Sequence, residues 1–189
     1  MQLNGNMFIG ATEVGATNGT MKALNPATNE EIEPAFALGG VAEVERAARL
    51  ADAAFISYNR TSLAERAAFL ERIAAGLDAI APELGERAAL ETGLPAAQLA
   101  AETAKAATQF RQFAKVVRQG RFRSATIDPA QPERQPRPRM DHRMQKISIG
   151  PVAIFGASNF PISYSVAGGD TASALAAGSP VILKAHNAH

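Results

Sequence analysis

The stretch VAIFGASNFPISYSVAGGDTASALAAGSPVILK, Val152 to Lys184, decides the fold. VAIF is a short, continuously apolar run, the pattern of a strand buried on both faces of a parallel sheet. PVILK (180–184) is a second such run. Between them, ISYSVAGGDTASALAAG (162–178) reads as a helix closed by Gly178, a residue suited to a C-terminal cap. Strand, helix and strand at this spacing make a βαβ unit, the building block of a parallel sheet. The expected class is therefore α/β. Gly168 and Gly169 fall inside the expected helix at a cost of about 1 kcal/mol each relative to Ala. They either break it or let it lie close against a neighbour. The small residues around them (Ser165, Ala167, Thr171, Ala172, Ser173) favour close approach.

Ligands of open α/β sheets sit at the carboxyl ends of the strands, and GASNFP (156–161) follows such an end. Gly156, Ala157 and Ser158 are small enough for a flat ligand to approach the backbone. Asn159 offers amide donors and an acceptor, and Pro161 suits a first helical turn. The plainer reading is a tight strand-to-helix turn with Asn159 as N-cap. Neither G-x-G-x-x-G nor a P-loop occurs. Lys184 ends the second strand on the same side of the sheet. A lysine there bonds ribose hydroxyls or a phosphate, or is simply a solvated strand end. His186 and His189 form an H-x-x-H, but they follow a strand and lack a third ligand, so no metal site is expected. His142 reads as solvent-facing.

Upstream, residues 1–36 are rich in Gly, Asn and Thr and suggest one or two hairpins, with Asn18-Gly19 as a turn signal and NPATNEE (25–31) as a second turn. Val41, Val44, Ala48, Ala51, Phe55 and Tyr58 trace one helix face. Ser62 and Glu65 have the spacing of a capping box and open a helix with a face at Leu63, Ala67, Leu70, Ala74, Leu77 and Ala81. A restart at Pro82 ends at Gly93, and Pro95 opens a long helix to about Gly120. Prolines make DPAQPERQPRPRM (128–140) an extended connector rather than helix or central strand. HRMQKISI (142–149) alternates as a strand.

The chain has 189 residues, 47% apolar and 20% charged, with a net charge of +1. That balance gives no general pull toward nucleic acid or an anionic membrane. No run approaches the roughly 18 apolar residues of a membrane span, and MQLNGNMFIG lacks the pattern of a signal peptide. The expectation is a cytoplasmic protein that partners neither nucleic acid nor membrane. With no cysteine, the 189 residues contain no disulfide, no thiolate metal site and no cysteine nucleophile.

GPVAIFGASNFP (150–161) followed by SALAAGSPVILKAH (173–186), together with LNPATNEE (24–31) and LETGLP (90–95) in that order, resembles the cofactor-binding core of the aldehyde dehydrogenase superfamily. FGASNFP and the KAHNAH tail look most like the α-ketoglutaric semialdehyde (2,5-dioxovalerate) dehydrogenase branch, with fatty aldehyde dehydrogenases as the alternative. The resemblance implies NAD(P)-dependent oxidation of an aldehyde to a carboxylate through a cysteine thiolate. It implies that Asn159 donates to the developing oxyanion, that Lys184 bonds the adenosine ribose, and that the backbone of Phe155, Gly156, Ala157 and Ser158 walls the cofactor. Phe160, and with it Phe113, would line the substrate tunnel. NAD-preferring relatives often have a glutamate where this chain has Asn187. A carboxylate there repels a 2′-phosphate, so Asn187, with His186 and Lys184 as donors, implies that NADP is accepted, alongside NAD. A substrate carrying a carboxylate needs a cation at the tunnel. Arg111, Arg118 and Arg121 are available, and the sequence alone does not place them.

The resemblance further implies the N-terminal part of a larger enzyme. Residues 1–130 and 150–189 would be part of the cofactor domain, a helical region plus the first βαβ of a Rossmann-like sheet left incomplete. Residues 131–149 would be a connector and an oligomerisation strand of a homo-dimer or tetramer. The catalytic domain would lie outside the chain. The alternative expectation is a freestanding, non-catalytic nucleotide-binding or assembly module.

Overall fold

The structure is a computed structural model and describes residues 3–188; His189, and with it the second half of the H-x-x-H, lies outside them. Two hairpins come first: β1 (Met7–Ile9) with β2 (Thr12–Val14), and β3 (Thr20–Asn25) with β4 (Glu30–Ala37). Their turns lie at Gly10-Ala11 and at Pro26–Asn29. Asn18-Gly19, expected to be a hairpin turn, instead joins the two hairpins, because Asn18 and Leu38 bond backbone to backbone across the start of β3.

Four helices follow: α1 (Val41–Tyr58), α2 (Leu63–Ala79), α3 (Ala81–Thr92) and α4 (Ala96–Gln119). The capping box forms as its chemistry requires. Ser62 Oγ accepts from the Glu65 N–H at 3.2 Å, and Glu65 Oε2 accepts from the Ser62 N–H at 2.9 Å. Gly93 and Gly120 close α3 and α4 in the left-handed conformation. Helix α4 is central. Its Phe110, Ala114 and Val117 are fully buried with Ala67, Leu70 and Ala74 of α2 and with Ala172 of the later helix. The expected face of α1 is covered only toward its C-terminal end: Ala51 is buried, whereas Val41 and Val44 are exposed.

After α4 the chain makes a single 3-10 turn (Arg121–Arg123) and enters β5 (Thr126–Asp128), which pairs antiparallel with β6 (His142–Met144). The proline-rich segment between them is therefore not a plain extended connector. Gln131 and Arg139 exchange backbone hydrogen bonds of 2.8 and 3.0 Å, folding it into a hairpin-like excursion. The expected strand at 142–149 is correspondingly short. Beyond Met144 the chain is drawn toward the helices: the Lys146 N–H bonds the Arg123 carbonyl, and Ser148 Oγ donates to Asn59 Oδ1 or the Gly178 carbonyl.

The βαβ unit is present as β7 (Val152–Phe155), α5 (Gly169–Ala177) and β8 (Val181–Lys184), with β7 and β8 parallel and Phe155 opposite Lys184. Two expectations need correction. First, the helix begins at Gly169, not Ile162. Residues 161–168 form turns, Pro161 lies in a turn, and Gly168 rather than Asn159 is the N-cap. A Cβ on Gly168 would stand 2.7 Å from the Ser163 carbonyl oxygen, and one on Gly169 3.0 Å from Gln109 Nε2 on α4. Close approach to a neighbouring helix holds at Gly169, whereas Gly168 is the break: it caps the helix and crowds its own preceding loop. Second, the sheet is not buried on both faces. Along β7, Ile154 is buried while Ala153 and Phe155 are exposed, Phe155 by 73%. Helices α1 and α5 contact the sheet, yet Ala153 and Phe155 stay exposed among the described residues.

Candidate functional site

The carboxyl ends of the parallel strands β7 and β8 lie side by side, so the two candidate segments meet. Gly156 donates its N–H to the Lys184 carbonyl at 3.0 Å, and a Cβ at Gly156 would stand 3.2 Å from the His186 backbone nitrogen. A larger residue would push the strand ends apart, which gives the glycine a packing reason at this point. Beyond β8, Lys184 Nζ donates to Asn187 Oδ1. His186 Nδ1 accepts from the Ala188 N–H at 3.0 Å, which leaves the proton of a neutral ring on Nε2. An ammonium, an amide and an imidazole thus gather at one strand end. This donor set suits ribose hydroxyls and phosphate oxygens, so the residues fit a dinucleotide.

On the β7 side the chain turns through Ala157, Ser158, Asn159 and Phe160. The Ala157 N–H bonds the Tyr164 carbonyl at 3.0 Å, closing the loop on itself. Ser158 and Asn159 are exposed. What fixes the loop is a residue that the sequence reading did not single out. Glu102 on α4 is only 5% exposed, and its Oε2 accepts from the Ile162 N–H (3.1 Å), the Ser163 N–H (3.2 Å) and Ser163 Oγ (3.3 Å). Its other oxygen accepts from Gln98 Nε2 at 3.3 Å. Two N–H groups that no helix satisfies are thereby paired with a carboxylate, a charge-assisted bond stronger than a neutral one. A signal was available in the sequence. Leu99, Ala106 and Phe110 define the buried face of α4, and Glu102 falls on it, where a carboxylate needs partners.

Phe160 stands edge-on to Tyr164 with ring centroids 5.5 Å apart. The ammonium of Lys105, one turn beyond Glu102 on α4, lies 4.8 Å from the Tyr164 centroid and 5.6 Å from that of Phe160. Phe113, which the resemblance placed along the tunnel with Phe160, is half-buried and packs against the core formed by α2, α4 and α5. It lies eight residues along α4 from Lys105, about 12 Å of helix rise. Arg111 and Arg118 pair with Asp78 and Glu71 of α2, and Arg121 is exposed in the turn after α4.

A second buried charge lies away from the strand ends. Arg66 is 2% exposed and donates to the carbonyls of Tyr58, Asn59, Thr61 and Ala176 and to Thr61 Oγ1. Burial holds its pKa below the usual guanidinium range. The Tyr58 hydroxyl donates to the Leu175 carbonyl at 2.9 Å, and burial pushes its pKa up to about 12.

Over residues 14–188 the sequence matches the aldehyde dehydrogenase family. It is 56% identical to alpha-ketoglutaric semialdehyde dehydrogenase 2 of Azospirillum brasilense, over 100% of this chain and 36% of that protein. It is 45% identical to the alpha-ketoglutaric semialdehyde dehydrogenase of Acinetobacter baylyi, over 98% of this chain and 35% of that one. The chain therefore spans about a third of the length of these relatives. Among solved structures, aldehyde dehydrogenase 21 from Physcomitrella patens superposes with a TM-score of 0.84 at 23% identity, covering 97% of this chain and 37% of that one. This match establishes the fold.

Proposed function

The chain belongs to the aldehyde dehydrogenase family, and on that premise we propose that the protein oxidises an aldehyde to a carboxylate with NAD(P), the aldehyde being α-ketoglutaric semialdehyde and the product 2-oxoglutarate. The two relatives with that activity in their names support the substrate. The residues described here supply the oxyanion donor and one part of the cofactor site. The thiolate nucleophile comes from outside them, since the 189 residues hold no cysteine.

The observation that carries this reading is the loop geometry. Asn159 follows the carboxyl end of β7, in a loop pinned by Glu102, on the same sheet edge as Lys184. An amide at that position can donate to an oxyanion, and donors of this kind supply several kcal/mol in sites of this type. NAD(P), when bound, accepts the hydride. Lys184 and Asn187 hold its ribose, with Phe155, Gly156, Ala157 and Ser158 along one side. Asn187 and His186 present no carboxylate to a 2′-phosphate, so NADP is accepted. We further propose that the β5–β6 hairpin, whose six residues are all exposed, is the pairing element of a homo-oligomer.

The test is Asn159→Ala in the full-length protein with α-ketoglutaric semialdehyde and either NADP or NAD. The expected result is a fall in kcat of about a hundredfold or more, with cofactor binding retained. Unchanged kcat removes Asn159 from the role, and activity with NAD but none with NADP removes the cofactor assignment. The second reading, a freestanding nucleotide-binding or assembly module, draws on the lack of cysteine. An intact mass near 19.8 kDa for the purified native protein favours it. A mass over twice that favours the enzyme.

A further inference from the structure

A substrate whose far end is a carboxylate needs a cation that no protein carboxylate has already claimed. The three arginines open to that role on sequence do not meet the condition at this loop: Arg111 and Arg118 are paired with acids of α2, and Arg121 lies beyond the far end of α4. Lys105 meets it. It is exposed, and among the described residues it joins no salt bridge. The nearest acid along its own helix, Glu102, has both oxygens taken up by Gln98 and by the 162–163 backbone. The Lys105 ammonium is instead held over the rings of Tyr164 and Phe160. Aromatic faces attract a cation without neutralising it, so its hydrogen-bond donors stay available to an anion.

The position is also fixed relative to the reacting end. Phe160 follows Asn159 directly, and Glu102, three residues before Lys105 on the same rigid helix, clamps the loop that carries both rings. Resting on the proposed function above, we propose that Lys105, seated on Phe160 and Tyr164, is a specificity-determining residue that binds the distal carboxylate of an anionic aldehyde. Asn159 serves the aldehyde end and Lys105 the acid end of the same substrate.

The experiment compares the full-length protein with its Lys105→Met and Lys105→Arg variants on two aldehydes of equal length, α-ketoglutaric semialdehyde and uncharged pentanal. Lys105→Met keeps the apolar stem and removes the charge. The expected result is a fall of about tenfold or more in kcat/KM for the anionic aldehyde, expressed mainly in KM, with pentanal changed less than about twofold. Lys105→Arg retains most of the activity. Added salt should weaken the wild-type preference for the anionic substrate and leave that of Lys105→Met unaltered. An equal fall on both substrates, or no change on either, overturns the role of Lys105 while leaving the enzyme reading in place. A wild-type protein that oxidises neither aldehyde removes that reading and this inference with it.

Discussion

Arg66 and Glu102 are both nearly inaccessible charges on the helical layer, and both hold backbone that has left regular structure. They differ in sign, and therefore in what they hold. Arg66 gathers carbonyl groups at the α1–α2 junction and at the end of α5. Glu102 gathers N–H groups of the loop that leads out of β7. The carbonyls at Arg66 belong to helix ends and are part of the frame. The N–H groups at Glu102 lie three and four residues after Asn159 and belong to the candidate site. A buried ion of either sign costs desolvation, offset only when its hydrogen bonds are complete. Here one such ion maintains the scaffold and the other maintains the loop.

Substitutions should separate the two roles. Arg66→Met has the largest expected effect on stability, a loss of roughly 3 kcal/mol, since one buried and three half-buried carbonyls lose their donor at once. Urea unfolding reads it, and a loss under 1 kcal/mol would mean that water replaces the guanidinium. Glu102→Ala should cost less globally, about 2 kcal/mol, and act locally. Amide exchange should accelerate at Ile162 and Ser163 while the Phe110 region stays protected. Uniform acceleration would make Glu102 a frame residue like Arg66 and erase the distinction. Tyr58→Phe, beside Arg66, should cost about 1 kcal/mol at neutral pH for its single hydrogen bond to Leu175.

That last substitution also carries a pH dependence. The Tyr58 hydroxyl titrates near 10 when unfolded and at about 12 in the folded chain. The unfolded chain loses the proton first, so the contribution is complete below pH 10 and is lost as pH rises toward 12. The stability gap between wild type and Tyr58→Phe should narrow across that window and then change sign, since a linkage effect of this size outweighs a hydrogen bond of about 1 kcal/mol. A gap that stays constant would mean that Tyr58 ionises alike in both states.

The same comparison explains what was readable in the chain. Helices α2, α3 and α4, the Ser62–Glu65 box and the caps at Gly93 and Gly120 follow from local chemistry, residues three or four apart acting on one another. The βαβ unit was legible for the same reason. The resemblance named the family, and the βαβ reading put Lys184 and the Asn159 loop at adjoining strand ends, where the structure has them. The loop between them was not legible. Ile162–Gly168 reads as the start of the helix, yet it forms turns, and a carboxylate sixty residues earlier accepts the N–H groups of Ile162 and Ser163. Lys105 was missed for a related reason. Its partners, Phe160 and Tyr164, face it only after Glu102 has drawn the loop onto α4. Phe113, named from the resemblance, is half-buried against the core on the same helix.

The Arg66 contacts also span two very different ranges of the chain. Most of its acceptors lie within eight residues of it, at Tyr58, Asn59 and Thr61. The Ala176 carbonyl, on α5, is 110 residues away. A contact of that separation needs a long loop closed before it can form, so Arg66 ties a junction built from neighbours in sequence to the end of a helix far along the chain. One cation thus makes two distant segments share a single anchoring point.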